Sequence, residues 1–140
     1  MTDPTASETQ RIVPMLVYED APRAIEFLCR AFGFEERYRL PMPDGRVGHA
    51  ELAYEGEVVT LSSEYGEMGL ASPQKLPMLH CQIRCRVDDV DAHYQRAKAA
   101  GAVVTAEPAD QEYGERMYRA VDPEGTRWIF AAPIPDASAD

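Results

Sequence analysis

The stretch "EDAPRAIEFLCRAFGFE", Glu19 to Glu35, decides the fold. Asp20 is a helix N-cap, because a short carboxylate accepts the free N–H groups of a first turn. Pro22 falls inside that turn, where a missing N–H costs little. Ala24, Ile25, Phe27, Leu28, Ala31 and Phe32 recur at helical spacing and make one apolar face. Gly33 ends the helix as a left-handed cap. The spacing predicts a helix over Ala21–Phe32.

The same punctuation returns downstream in "RVDDVDAHYQRAKAAGAVV", Arg86 to Val104. Asp88 and Gly101 stand 68 positions after Asp20 and Gly33, and Ala92 and Ala99 stand 68 after Ala24 and Ala31. Asp88 is read as the second cap, Val90, Tyr94 and Ala97 as the apolar stripe, and His93 as a surface residue. A chain that repeats its helix at a fixed offset is built from two copies of one unit.

Around each helix the pattern switches to strands. "RIVPMLVY", Arg11 to Tyr18, is apolar and β-branched, with Pro14 marking an edge or bulge. Strands are predicted at 34–40, 46–54 and 57–63, joined by turns at Pro43-Asp44-Gly45 and Glu55-Gly56. The second copy reads as strands at 79–87, 103–105, 116–121 and 126–130. Its last turn, Asp122-Pro123-Glu124-Gly125, combines an Asp, a Pro that presets φ and a Gly that accepts positive φ.

The fold class is therefore α+β: two β-α-β-β-β modules whose curved sheets enclose a cleft. Module one covers 11–64, a Gly- and Pro-rich linker 65–78, and module two 79–132. Polar tails occupy 1–10 and 133–140. A sheet with a helix on one face leaves its other face to be covered by the second module or by another chain.

Composition narrows the partners. The chain has 140 residues and a net charge of −10. That charge opposes phosphate-backbone binding, so no nucleic acid is expected, and it admits attraction of a cationic small molecule. No apolar run is long enough to span a membrane. The start, "MTDPTASETQ", lacks the basic and apolar parts of a secretory signal. Cys29, Cys81 and Cys85 are expected to be reduced, buried thiols in a cytoplasmic protein.

Candidate site residues come from alternation. His80, Gln82, Arg84 and Arg86 face away from Cys81, Ile83, Cys85 and Val87, and so away from the helices. His49 and Glu51 share one strand face and form an acid/base pair if they meet. Tyr113 and Arg116, beside Tyr118, suit stacking on a planar ligand. Trp128 is assigned to the core. The linker residues Tyr65, Met68 and Leu70 either fold over a ligand as a lid or only connect the modules. The same polar residues serve equally well as solvated strand faces.

Three segments carry a family resemblance: "EDAPRAIEFLCRAFGFE", "RVDDVDAHYQRAKAAGAVV" and "YGERMYRAVDPEGTRWIF". Over about Ile12 to Phe130 the chain resembles the vicinal oxygen chelate superfamily, which includes glyoxalase I, extradiol dioxygenases and bleomycin-resistance proteins. It is similar in particular to its small, single-domain, PhnB-like members. The resemblance implies a homodimer with clefts at or near the interface. It also implies four metal ligands in the metal-dependent members. By position these fall near Val13, near Thr60 or Leu61, near Gln82 and near Ile129. None is His, Asp or Glu, so no metal or other cofactor is expected. The expected function is metal-independent binding or sequestration of a small molecule, with His49, Glu51, Gln82, Arg84, Tyr113 and Arg116 at the site. The alternative is a glyoxalase-like lyase, isomerase or dioxygenase with a relocated metal site, whose donors come from His49, Glu51 and His80 or from the partner chain.

Overall fold

The computed structural model describes residues 10–135. The expected tails lie largely outside them. The chain divides between Pro77 and Met78 into two compact units. Unit 1 contains β1 (Met15–Tyr18), α1 (Ala21–Phe32), β2 (Glu35–Pro41), β3 (Val47–Tyr54) and β4 (Glu57–Ser63). Unit 2 contains β5 (Ile83–Arg86), α2 (Val90–Ala99), β6 (Val103–Asp110), β7 (Glu115–Val121) and β8 (Arg127–Pro133).

The two sheets have the same topology. Unit 1 is ordered β1-β4-β3-β2 and unit 2 β5-β8-β7-β6. In each, the first strand pairs parallel with the last, and the other neighbours are antiparallel. The β-α-β-β-β repeat of the sequence is therefore the repeat of the fold.

α1 begins and ends where its local signals put it. The Asp20 carboxylate accepts the Arg23 N–H at 3.2 Å, and Gly33 takes a left-handed φ of 87°. Ala21, Ala24, Ile25, Phe27, Leu28, Ala31 and Phe32 are buried. Burying each large member contributes on the order of 1.5–3 kcal/mol. α2 departs from expectation by one residue: Asp89, not Asp88, is the N-cap, accepting the Ala92 N–H at 3.0 Å. Adjacent aspartates are equivalent caps by composition, and only the backbone path selects one.

β1 is shorter than expected because Pro14 has no N–H to give. The Pro14 carbonyl still accepts the Thr60 N–H at 2.9 Å. Ahead of it, the Gln10 side chain copies a strand by bonding both the N–H and the carbonyl of Val58, at 2.7 and 2.9 Å. β5 starts at Ile83 rather than at Leu79. β6 runs to Asp110, past Pro108, which an edge strand tolerates.

Two expectations about side chains are corrected. His93 is buried, its Nδ1 2.7 Å from the Tyr118 hydroxyl and its ring 4.2 Å from that of Phe130. The thiols are not buried: Cys81 is exposed, and Cys29 and Cys85 are half-buried. All three are free. Trp128 lies in the core, fully buried.

Candidate functional site

Register defines which side of each sheet is open. In unit 1, Leu16, Leu61 and Ala50 form one row across β1, β4 and β3. Leu61 and Ala50 are buried, and this row faces α1. The alternate rows face away from the helix. One is Met15, Thr60, Glu51 and Tyr38; the next holds the pair Val17 and Ser62 and the pair His49 and Leu40.

This open face is the floor of a cavity of about 520 Å³, inside the usual range for small-molecule sites. Met15, Val17, Leu40, Met42 and Val47 give it an apolar lining, with His49, Ser62, Ser63 and Glu64 as polar points. Met15 is 75% exposed and Leu40 49% exposed, and exposed apolar side chains gathered at one concavity mark a binding surface.

The linker forms the cavity's far wall. Tyr65 and Leu70 exchange backbone hydrogen bonds at 3.0 and 3.2 Å around a 3-10 turn at Gly66–Met68. Tyr65, Met68 and Leu70 all line the cavity, the position of a lid. Glu64 anchors the loop: its Oε2 accepts the Ser72 N–H at 2.7 Å and the Lys75 ammonium at 2.6 Å. These bonds hold the Glu64 carboxyl below the usual range, the Lys75 hydrogen bond most of all. On the inner side the Arg46 guanidinium lies 5.3 Å from the Tyr65 ring centroid and donates to the Glu64 carbonyl at 3.2 Å.

The expected site residues separate into groups. His49 and Glu51 meet, Nε2 to Oε2 at 3.4 Å, and His49 lines the cavity. Gln82 and Arg84 lie in unit 2. Gln82 accepts from Arg127 at 3.4 Å, and Arg84 is paired with Glu115. Arg116 is turned to the helix side, forked onto Asp91 and bonded to Asp110 at 3.0 Å. The Asp91 hydrogen bonds foremost, then Asp110, raise its pKa further above the ordinary range. Tyr113 is 70% exposed in the turn before β7. The cavity residues Met42 and Val47 escaped sequence reading. Their only signal was their place at the Pro43-Asp44-Gly45 hairpin.

Residues 11–130 match the glyoxalase/bleomycin resistance protein/dioxygenase superfamily. The chain belongs to this family. Among relatives of this vicinal oxygen chelate scaffold, the uncharacterized protein Mb0911c of Mycobacterium bovis is 37% identical over 130 residues, covering 91% of this chain and 86% of the relative. The crystal structure of TioX from Micromonospora sp. ML1 superposes with a TM-score of 0.69 at 31% identity, covering 88% of this chain and 95% of that one. FosX, a fosfomycin resistance protein of Listeria monocytogenes, superposes with a TM-score of 0.70 at 16% identity, covering 93% of this chain and 98% of that one. This last likeness shows the fold alone.

A family metal would need donors at the four cleft positions. Register puts Thr60 on the open face of unit 1 and Ile129 on that of unit 2. Thr60 Oγ1 donates to the Pro14 carbonyl at 3.1 Å, and Gln82 offers a neutral amide oxygen already bonded to Arg127. Val13 and Ile129 carry hydrocarbon only. This donor set does not fit a divalent cation. Among the described residues, no three His, Cys, Asp or Glu side chains gather as a metal group, so the His49–Glu51 pair has no third donor. No described helix is long and apolar enough to cross a membrane.

Proposed function

We propose that this chain is a metal-independent binding protein that takes a small, largely apolar molecule into the cavity of unit 1. The cavity itself carries the reading: about 520 Å³, apolar-lined, with a few polar groups to fix orientation. The met-rich wall of Met15, Met42 and Met68 suits a ligand of irregular shape, because thioether side chains repack easily. The net charge of −10 supports a ligand with a cationic group. The reading includes a homodimer, as the family resemblance implies, in the cytoplasm, where cysteines outside any disulfide are expected.

The test is native mass spectrometry of untagged protein purified without added metal. A dimer that carries an organic mass and no metal supports the proposal. About one divalent ion per chain, removed together with the ligand by chelator, overturns it.

One observation favours a second reading, a lyase or isomerase. His49 and Glu51 lie at 3.4 Å beside the cavity, where a carboxylate-oriented imidazole moves a proton to or from a bound molecule. Turnover of the retained compound that is lost in both His49→Ala and Glu51→Ala would favour this reading over binding alone.

A further inference from the structure

The open face of unit 2 differs in character from that of unit 1. Ile83, Trp128 and Ala120 form one row, and Cys85, Phe130 and Tyr118 the next; Tyr118 and Phe130 meet His93 of α2. The rows between them face away from α2. One row is Arg84, Ile129 and Arg119; its neighbour is Arg86, Ala131 and Met117. Arg127 stands two residues before Ile129 on β8 and shares its face. Four arginines therefore share one sheet face: Arg84 and Arg119 flank Ile129 from the neighbouring strands, Arg127 precedes it on β8, and Arg86 stands beside Ala131.

This cluster sits in a chain with 24 acidic and 14 basic side chains. Even so, Arg86, Arg119 and Arg127 have no carboxylate within ion-pair distance among the described residues. Arg127 meets only the Gln82 amide. Arg84 alone is neutralised, by Glu115. Like charges collected on one face repel, and an anion between them relieves that repulsion. Arg84 and Arg119 flank Ile129 from neighbouring strands, so their starting points lie roughly 10 Å apart, at about 4.8 Å per strand. Long side chains from that spacing converge on a group held between them. Ile129, Ala131 and Met117 form an apolar floor, where a charge-assisted hydrogen bond is stronger than in open water.

The geometry points to an oxyanion site on this face, in which Arg84, Arg86, Arg119 and Arg127 take the carboxylate or phosphate group of a small molecule. Glu115 shows the chemistry in miniature, a carboxylate already seated on one of the four. The planar fork of arginine matches either anion in two-point contact. A polyanion such as nucleic acid is opposed by the net charge. No residue of this face lines the cavity of unit 1, so the site stands or falls separately from the proposed function.

The test is a side-chain Nε–Hε NMR titration of the full-length protein with sodium phosphate and, separately, sodium benzoate, at ionic strength fixed with chloride. Saturable shifts of the Arg84, Arg86, Arg119 and Arg127 signals, with Arg30 and Arg37 unmoved, support the site. The tighter of the two probes identifies a phosphoryl or a carboxylate ligand. An Arg86→Gln, Arg119→Gln double variant should bind about tenfold more weakly, and its unchanged melting temperature would show that the fold is intact. Shifts that are linear, equal at all arginines and reproduced by chloride would overturn the inference, as would unchanged affinity in the folded double variant.

Discussion

The Asp122 carboxylate accepts the indole N–H of Trp128 at 3.1 Å in the core of unit 2. Its other oxygen accepts the Glu124 and Thr126 N–H groups, each at 3.1 Å. The Asp-Pro-Glu-Gly turn is thus closed by its own first side chain and fastened to β8. The turn that opens β8 is structural, and its carboxylate is already committed to three donors. Asp122→Ala strands buried donors, so it should destabilise the protein by about 2–4 kcal/mol in chemical denaturation. Asp122→Asn keeps an acceptor for the two backbone groups and should lose less. Equal stability of Asp122→Ala and wild type would show that the turn forms without its side chain.

A second buried pair stiffens the contact of α2 with its sheet. The Tyr118 hydroxyl lies 2.7 Å from His93 Nδ1 and also donates to the His93 carbonyl at 3.5 Å. Tyr118→Phe keeps the ring stack on Phe130 and removes both bonds. Its expected cost is about 1–2 kcal/mol, read from the denaturation midpoint at unchanged slope. A loss near zero would mean that His93 finds another partner.

These two networks show where sequence stops being legible. α1 was readable to the residue, because Asp20, Pro22 and Gly33 act within their own turn. So was β4, Glu57–Ser63, bounded by its hairpin and by the Gly-rich segment after it. His93 was misread because its helix neighbours are polar, while its burial is decided by Tyr118 and Phe130 on strands far along the chain. Period-two alternation put His49 and Glu51 on one strand face, and only the structure shows that they meet, at 3.4 Å. Gln82 and Arg84 were separable from Cys85 by the same rule. Arg119 was not, since its face depends on the register of β7 against β8. The wall formed by Met42, Met68 and Leu70 was equally hidden, because a cavity depends on how loops fold back.

The loop wall should respond to acid. Hydrogen bonds from Lys75 and Ser72 keep the Glu64 carboxyl below its ordinary pKa. A depressed carboxyl contributes stability that is complete above the unfolded value, about 4.3. That contribution is lost as pH falls through the lower folded value. Protection of the Ser72 amide against hydrogen exchange, corrected for intrinsic rates, should therefore hold at neutral pH and drop below about pH 4. Glu64→Gln should lower it already at pH 7 and abolish the acid step. An acid step that persists in Glu64→Gln would assign it to another carboxyl.

Glu115 competes with any external anion for Arg84. Glu115→Gln removes the internal carboxylate while keeping the side-chain shape. Affinity for phosphate or benzoate should rise about three- to tenfold, the range of one charge-assisted bond released from competition. Isothermal titration calorimetry at fixed ionic strength measures it. Weaker binding would instead make Glu115 a brace that holds Arg84 in place.

The cavity reading is open to a direct block. Ser62 lies on the open face beside Val17 and lines the cavity. Its hydroxyl is spent on the Ser63 carbonyl next to it, so the fold does not depend on it. Ser62→Phe should fill the space, abolish retention of the bound organic molecule in native mass spectrometry and leave the melting temperature nearly unchanged. Met15→Asp puts a charge at the apolar rim and should weaken retention at least tenfold, because an apolar ligand would then leave a carboxylate partly desolvated. Prolonged treatment with a chelator should change neither wild-type retention nor stability. Ligand lost on chelation but kept in Ser62→Phe would place the binding site elsewhere and make it metal-dependent.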